Sequence, residues 1–203
     1  SDLKDIALPR SPETVPHPAD AYAHKTGTYF GGVRRDFLEA LPRRPGLRVL
    51  EVGCGSGDTG RAALVQGFCD SYSGVELFPA AAAEARQHLT DVVEGDVERV
   101  VLPWPEGHFD AVLMSEVLEH LIDPWAVVRR IAVLLKPGAF VMASSPNVAQ
   151  IKTLRNILSD SWELEDSGLM DRTHLRWFTA GTYRRMFEDA GIRVDRTYPL
   201  APA

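Results

Sequence analysis

Glu116, Glu119 and His120 fall at spacings i, i+3 and i+4 in the run Ser115-Glu116-Val117-Leu118-Glu119-His120. On a helix these three side chains share one face. Two carboxylates and an imidazole so placed can hold a divalent cation and leave positions open for substrate oxygens. The same acid and histidine can instead cap or orient local structure. Farther along, Asp171-Arg172-Thr173-His174 carries a second histidine, whose ordinary pKa of about 6.5 suits a general base. Asp171 fits either task less well, because an Asp there also begins the turn that follows.

A second cluster lies earlier, in Glu51-Val52-Gly53-Cys54-Gly55-Ser56-Gly57. Here a buried strand runs into a glycine-rich turn that opens a helix. A Cβ at Gly53 or Gly55 would keep a ligand off the backbone. The glycines alone do not choose the ligand, since nicotinamide and flavin enzymes use a similar turn. Two details do. The third glycine of G-x-G-x-x-G would stand at position 58, which is Asp58. An acid, Glu51, precedes the first glycine by two residues, where a diphosphate gains nothing from negative charge and a sulfonium cofactor with an ammonium group does. Glu76 ends the next strand and can take both ribose hydroxyls, while Asp96 follows the third strand at the matching position for an adenine amine. As mere strand-end polar residues, three acids at three successive strand ends would be a coincidence.

The elements that must position these groups alternate along the chain. The sequence predicts strands over 47–52, 72–76, 92–94, 109–114, 138–144 and 192–197. It predicts helices over 29–41, 59–66, 79–88, 147–158 and 179–190, with further helical pattern through Leu135. Pro42 ends the first helix and Pro79 opens the third. Strands separated by helices imply an α/β fold, a mostly parallel sheet covered on both faces. Residues 1–28, with Pro9, Pro12, Pro16 and Pro18, read as an N-terminal arm, and residues 29–203 as one domain.

At 203 residues the chain holds one domain with a sizeable core. Nothing approaches the roughly 20 apolar residues of a membrane span, so no membrane partner is expected. The N-terminus lacks a signal pattern, and its first residue, Ser1, implies processing or recombinant trimming. Cys54 and Cys69 give no disulfide framework, which fits a reducing cytoplasm. A net charge of −6 argues against a nucleic-acid partner. Arg129 and Arg130 read as a solvated helix face. Arg172, Arg176, Arg184 and Arg185 lie nearer the ligand edge and could meet an anionic acceptor. Oligomeric state is not legible.

Val49 to Gly57, Gly74-Val75-Glu76, Gly95-Asp96-Val97-Glu98 and Leu134-Leu135-Lys136-Pro137-Gly138 together resemble the motifs of class I S-adenosylmethionine-dependent methyltransferases. The resemblance implies a Rossmann-like fold whose last strand is missing, and cofactor contacts from Glu51, Gly53, Cys54, Gly55, Gly57, Glu76, Leu77, Asp96, Val97 and Ser115. Glu-x-x-Glu-His is also found in metal-dependent O-methyltransferases of ubiquinone biosynthesis and of small-RNA 3′ ends, the latter with a later histidine. That likeness implies metal ligands Glu116, Glu119, His120 and His174 for a cation such as Mg²⁺, with His174, Glu119 and His120 catalytic. Ser145-Pro146-Asn147 with Asp171 to Phe178 is similar to bacterial methyltransferases of glycan synthesis. It implies a saccharide or other small diol-bearing acceptor, with residues 146–178, including Trp162, Trp177 and Phe178, as its lid. Phe178 reads as core more readily than Trp162. The alternatives are an RNA-end 2′-O-methyltransferase and a non-catalytic cofactor-binding module.

Overall fold

Val49, Leu50 and Val52 are almost wholly buried in a strand of alternating aspect, and that alternation divides the interior in two. The computed structural model describes residues 32–199. In it β1 (Arg48–Val52) is followed by α2 (Asp58–Val65), β2 (Ser71–Glu76), α3 (Pro79–Ala85), β3 (Asp91–Glu94) and β4 (Phe109–Ser115). A three-residue 3₁₀ turn (Leu118–His120) then leads to α4 (Pro124–Val133), β5 (Leu135–Ser144), α5 (Ile151–Leu158) and α6 (Ala180–Asp189), while α1 (Arg35–Ala40) precedes β1. The N-terminal arm, Tyr29 and Phe30 lie outside the described residues.

All strands pair in parallel, in the order β3-β2-β1-β4-β5. Leu50 and Val52 face Val127, Val128 and Ile131 of α4 and Met186 and Phe187 of α6. Leu47 and Val49 face Phe37 and Leu38 of α1, Ala63 of α2 and Ala85 of α3. Burial of the larger of these side chains, at about 1.5–3 kcal/mol each, supplies the main drive for the layered packing. The order in which strands are added reverses between β1 and β4, which are parallel neighbours although far apart in sequence. Their carboxyl ends open a crevice of the kind that receives ligands in open α/β sheets.

Three expectations change. First, Ile192 to Thr197 forms no strand, although its apolar residues alternate. A strand exists through its ladder, and this segment makes none: Ile192 N–H donates to Phe187 O at 3.0 Å, and Val194 O accepts from Arg184. Ile192 and Val194 instead rest on the α4–α6 core. Second, α5 begins at Ile151 rather than Asn147, because Asn147 bridges Phe178 and Val148 N–H donates to Phe178 O at 2.8 Å. Third, only Arg129 of the Arg129-Arg130 pair is exposed; Arg130 turns inward. No helix among the described residues is long and apolar enough to cross a membrane.

Candidate functional site

β1 delivers Glu51 and Val52 to the crevice, and the chain must then turn sharply to start α2. Gly53 does this at φ 73°, with its N–H donating to Val75 O at 2.8 Å. A Cβ on Gly53 would lie 2.5 Å from Val117 Cγ2, so the constraint comes from the β4 side of the crevice as well as from any ligand. Gly55 and Gly57 follow with positive φ, and Gly57 N–H closes the turn on Cys54 O at 2.9 Å. Cys54 is buried within it, its Sγ beneath Gly74 of β2.

Glu51, Glu76 and Asp96 stand at successive strand ends. Glu51 is 5 % exposed and accepts the Tyr72 hydroxyl at 2.9 Å. Burial pushes its carboxyl up to about 8, against the pull of the Tyr72 bond and the Arg34 charge. Tyr72 was not legible as a site residue; a buried phenol must find a partner, and that was the available signal. Glu76 Oε2 accepts Gly55 N–H at 2.8 Å and Oε1 accepts Phe78 N–H at 2.9 Å, which ties the glycine turn to the start of α3. Burial raises its carboxyl above the ordinary range. Leu77 is half-buried beside it. Asp96 Oδ1 accepts Glu98 N–H at 2.9 Å, and Val97 is buried in the α4 side of the core.

Arg34, also missed, crosses the mouth of the crevice. It pairs with both carboxylate oxygens of Asp36, at 2.9 and 2.7 Å, and bonds the Ser115 hydroxyl. Ser144 Oγ lies 3.3 Å from the same guanidinium nitrogen and 3.3 Å from Ser115 Oγ. Nothing in the sequence around Arg34 marks it; its position follows from Arg34 N–H donating to Thr59 Oγ1 at the start of α2.

The 115–120 run is not the helix its spacing suggests. Ser115 still pairs with Ser144, and Glu116 N–H donates to Ser144 O at 3.1 Å, so the β4–β5 ladder holds the chain extended up to that point. Glu116 then takes φ 52° and is exposed, and only Leu118–His120 coils. The helical face joining Glu116, Glu119 and His120 therefore does not form. A different trio does: ligand-type atoms of Glu119, His120 and His174 lie within 4.8 Å of one another, with Glu116 outside the set. His174 arrives because Leu175 and Arg176 N–H both donate to Glu119 O, at 2.8 and 2.9 Å. His120 Nδ1 lies 3.1 Å from Thr173 O, and His174 Nδ1 lies 3.0 Å from Leu169 O. A carbonyl only accepts, so each Nδ1 carries a proton and the neutral rings present their lone pair at Nε2.

Glu119 is 1 % exposed, and neither carboxylate oxygen has a hydrogen bond of normal geometry among the described residues. Burial, and then the nearby charge of Glu116, holds its carboxyl well above the usual range. Asp171 is a turn residue, as its second reading had it: Oδ1 accepts Thr173 N–H at 2.9 Å and Thr173 Oγ1 at 2.7 Å. Of the aromatics, Phe178 is core at 3 % exposure, while Trp162, 44 % exposed, meets Trp177 edge-on at 5.3 Å. Trp177 Nε1–H reaches the same Leu169 carbonyl as His174, at 3.3 Å.

Comparison with known proteins agrees with this geometry. A family model described as a methyltransferase domain matches residues 22–197. A ubiquinone biosynthesis O-methyltransferase of Xanthomonas campestris pv. campestris (strain B100) is 40% identical over 121 residues, 57% of this chain and 49% of the relative. A protein of the same name from Chromobacterium violaceum is 36% identical over 169 residues, 80% of this chain and 72% of the relative. The chain thus spans about half the length of the first relative and more of the second. In fold it is similar to a SAM-dependent methyltransferase from Archaeoglobus fulgidus, with TM-score 0.61 and 21% identity over 78% of this chain and 66% of that one. Parallel sheet, reversal point and glycine turn, together with the match to most of its length, place this chain in the S-adenosylmethionine-dependent methyltransferase domain family.

Proposed function

We propose that the protein transfers a methyl group from S-adenosylmethionine to a hydroxyl oxygen of a small diol-bearing acceptor, and that Glu119, His120 and His174 hold a divalent cation beside it. The buried carboxylate of Glu119, within reach of Ser145 and Glu116 but with no hydrogen bond of normal geometry, carries this reading. A buried acid so poorly satisfied is costly, and here it lies beside two imidazoles whose Nδ1–H groups are anchored on carbonyls, which puts their lone pairs at Nε2. A cation repays that cost. Two imidazoles and one carboxylate suit Mn²⁺, Fe²⁺, Co²⁺ or Zn²⁺ better than Mg²⁺, which favours oxygen donors. Such an ion supplies Lewis acidity to a hydroxyl and favours its ionised form.

The chain's own residues supply the rest. Glu51 and Glu76, with the backbone of Gly53 to Gly57, form the wall that takes the cofactor's cationic end and ribose, and Asp96 and Val97 the wall for the adenine. Ser115 lies at the rim between cofactor and acceptor. Residues 146–178 close over the acceptor, with Trp162 and Trp177 offering a ring-sized apolar surface tied to His174 through Leu169 O. The sulfonium brings its own reactivity; alignment of the attacking oxygen and removal of its proton are the protein's share. A relative named for O-methyl transfer in ubiquinone biosynthesis supports an oxygen acceptor. A metal-free variant of the reading also has an observation behind it: the Nδ1–H bond to Leu169 O leaves His174 Nε2 able to take the proton itself.

The test is methyl transfer to a catechol and to a saccharide diol, with and without a chelator and with Mn²⁺ added back. Turnover lost to chelation and restored by Mn²⁺ supports the cation. Turnover indifferent to chelation leaves His174 as the base. No transfer to any hydroxyl, with the cofactor bound, overturns the assignment to oxygen.

A further inference from the structure

Arg130 lies in the last turn of α4, yet its guanidinium reaches the loop after β3. Nη1 donates to Val97 O at 2.7 Å and Glu98 O at 3.0 Å, and Nη2 donates to Val100 O at 2.7 Å. From the same loop the Glu98 carboxylate reaches the opposite end of α4. Oε2 accepts Ile122 N–H at 3.0 Å, and Oε1 accepts Asp123 N–H at 2.6 Å. These are the donors just before the helix, where the Asp123 carboxylate also caps Ala126 N–H. The loop and α4 are therefore fastened at both ends of the helix by charge-assisted bonds, stronger than neutral ones.

The fastening continues past α4. Ile122 lies two residues past the Leu118–His120 turn, and Arg176 bonds Ile122 O. Within that turn, Glu119 O receives Leu175 and Arg176 N–H, which are adjacent to His174. One hydrogen-bonded path thus runs from Asp96, through Glu98, to Ile122 and then to the segment that carries His174.

We infer that Glu98 and Arg130 are positioning residues that transmit cofactor occupancy from the loop after β3 to the Glu119–His120–His174 cluster, so that the acceptor side is ordered when the cofactor is in place. The inference rests on the proposed reading of both walls. Its physical content is a coupling free energy between two sites through a shared rigid element. Neither residue touches the acceptor; each acts through the backbone it holds.

The test is hydrogen exchange at the Leu175 and Arg176 amides of the metal-free protein, with and without S-adenosylhomocysteine. In the unaltered protein the ligand should slow exchange there by at least about fivefold, the lower end of ordinary coupling. Glu98→Ala should still bind the ligand but lose that slowing. Arg130→Lys, which keeps the charge and loses the fork, gives the same readout should Glu98→Ala not fold. Full slowing in either folded variant, or none in the unaltered protein, overturns the inference. A parallel Mn²⁺ titration keeps the two readings apart: absent Mn²⁺ binding with intact coupling removes the cation and leaves the path.

Discussion

His120 and His174 meet edge to face, 4.7 Å between ring centroids and 62° apart, and both are anchored on carbonyls of the same short segment, at Thr173 and Leu169. Residues 54 positions apart are thereby fixed as one unit with Glu119. Anchored rings lose little freedom when they bind a ligand, which is the role second partners play around metal-binding histidines.

Glu119→Gln should abolish tight Mn²⁺ binding while leaving the fold intact, because the amide removes the buried negative charge at nearly constant volume. The expected loss is at least about 10- to 100-fold in metal affinity, read by electron paramagnetic resonance of free Mn²⁺. Equal affinity in the variant would remove Glu119 from the ligand set. Thermal melting should show the metal-free variant about as stable as the unaltered protein, since a neutral amide replaces a poorly satisfied buried acid at nearly constant volume.

Glu76→Ala should weaken binding of S-adenosylhomocysteine by about 1.5–3 kcal/mol, roughly 10- to 150-fold in Kd, the worth of hydrogen bonds to a charged group. Calorimetry measures it directly. The substitution also releases Gly55 and Phe78 N–H, so a melting curve should accompany it. An unchanged Kd would place the ribose elsewhere.

Glu51 makes stability depend on pH with a definite sign. Its folded-state value of about 8 stands above the 4.5 of an unperturbed carboxyl. Its favourable contribution is therefore complete below 4.5 and is lost as pH rises through about 8. Glu51→Gln removes the titration but can still accept the Tyr72 hydroxyl. Without cofactor, the variant should gain melting temperature over the unaltered protein near about pH 9 relative to about pH 5. A difference that stays constant over that range would show Glu51 to be ionised throughout.

Gly53→Ala meets two obstacles, the positive φ and the Val117 methyl. The backbone part alone costs about 1–3 kcal/mol. Pairing it with Val117→Ala should recover the steric part only. If the double variant recovers full stability, the left-handed turn is not the constraint; if it recovers none, the contact is not.

Much of the fold was legible because β1, β2 and β4 are buried runs and acids fall at the carboxyl ends of the first three strands, a pattern that depends on neighbours in sequence. Glu51, Glu76 and Asp96 were found that way. What was not legible depended on partners far along the chain. Helical spacing put Glu116 with Glu119 and His120, but the pairing of Ser115 with Ser144 held the chain in strand form. Alternation over 192–197 promised a strand, and no ladder met it. Arg130 read as surface charge and Arg34 went unmarked, because each guanidinium reaches atoms that only the folded chain brings near. His174 lay in a motif, yet its meeting with Glu119 depends on two backbone bonds that no side-chain pattern encodes.

Cys54 and Cys69 sit at opposite rims of the sheet, one after β1 and the other before β2, and burial raises both thiols, that of Cys69 to about 12. Neither reacts while its surroundings stay closed, since the thiolate is the reactive species. Each is therefore a native clock: its alkylation rate reports how often its own rim breathes. Slower labelling at Cys54 alone, once cofactor is added, would time the closing of the glycine turn without any introduced probe.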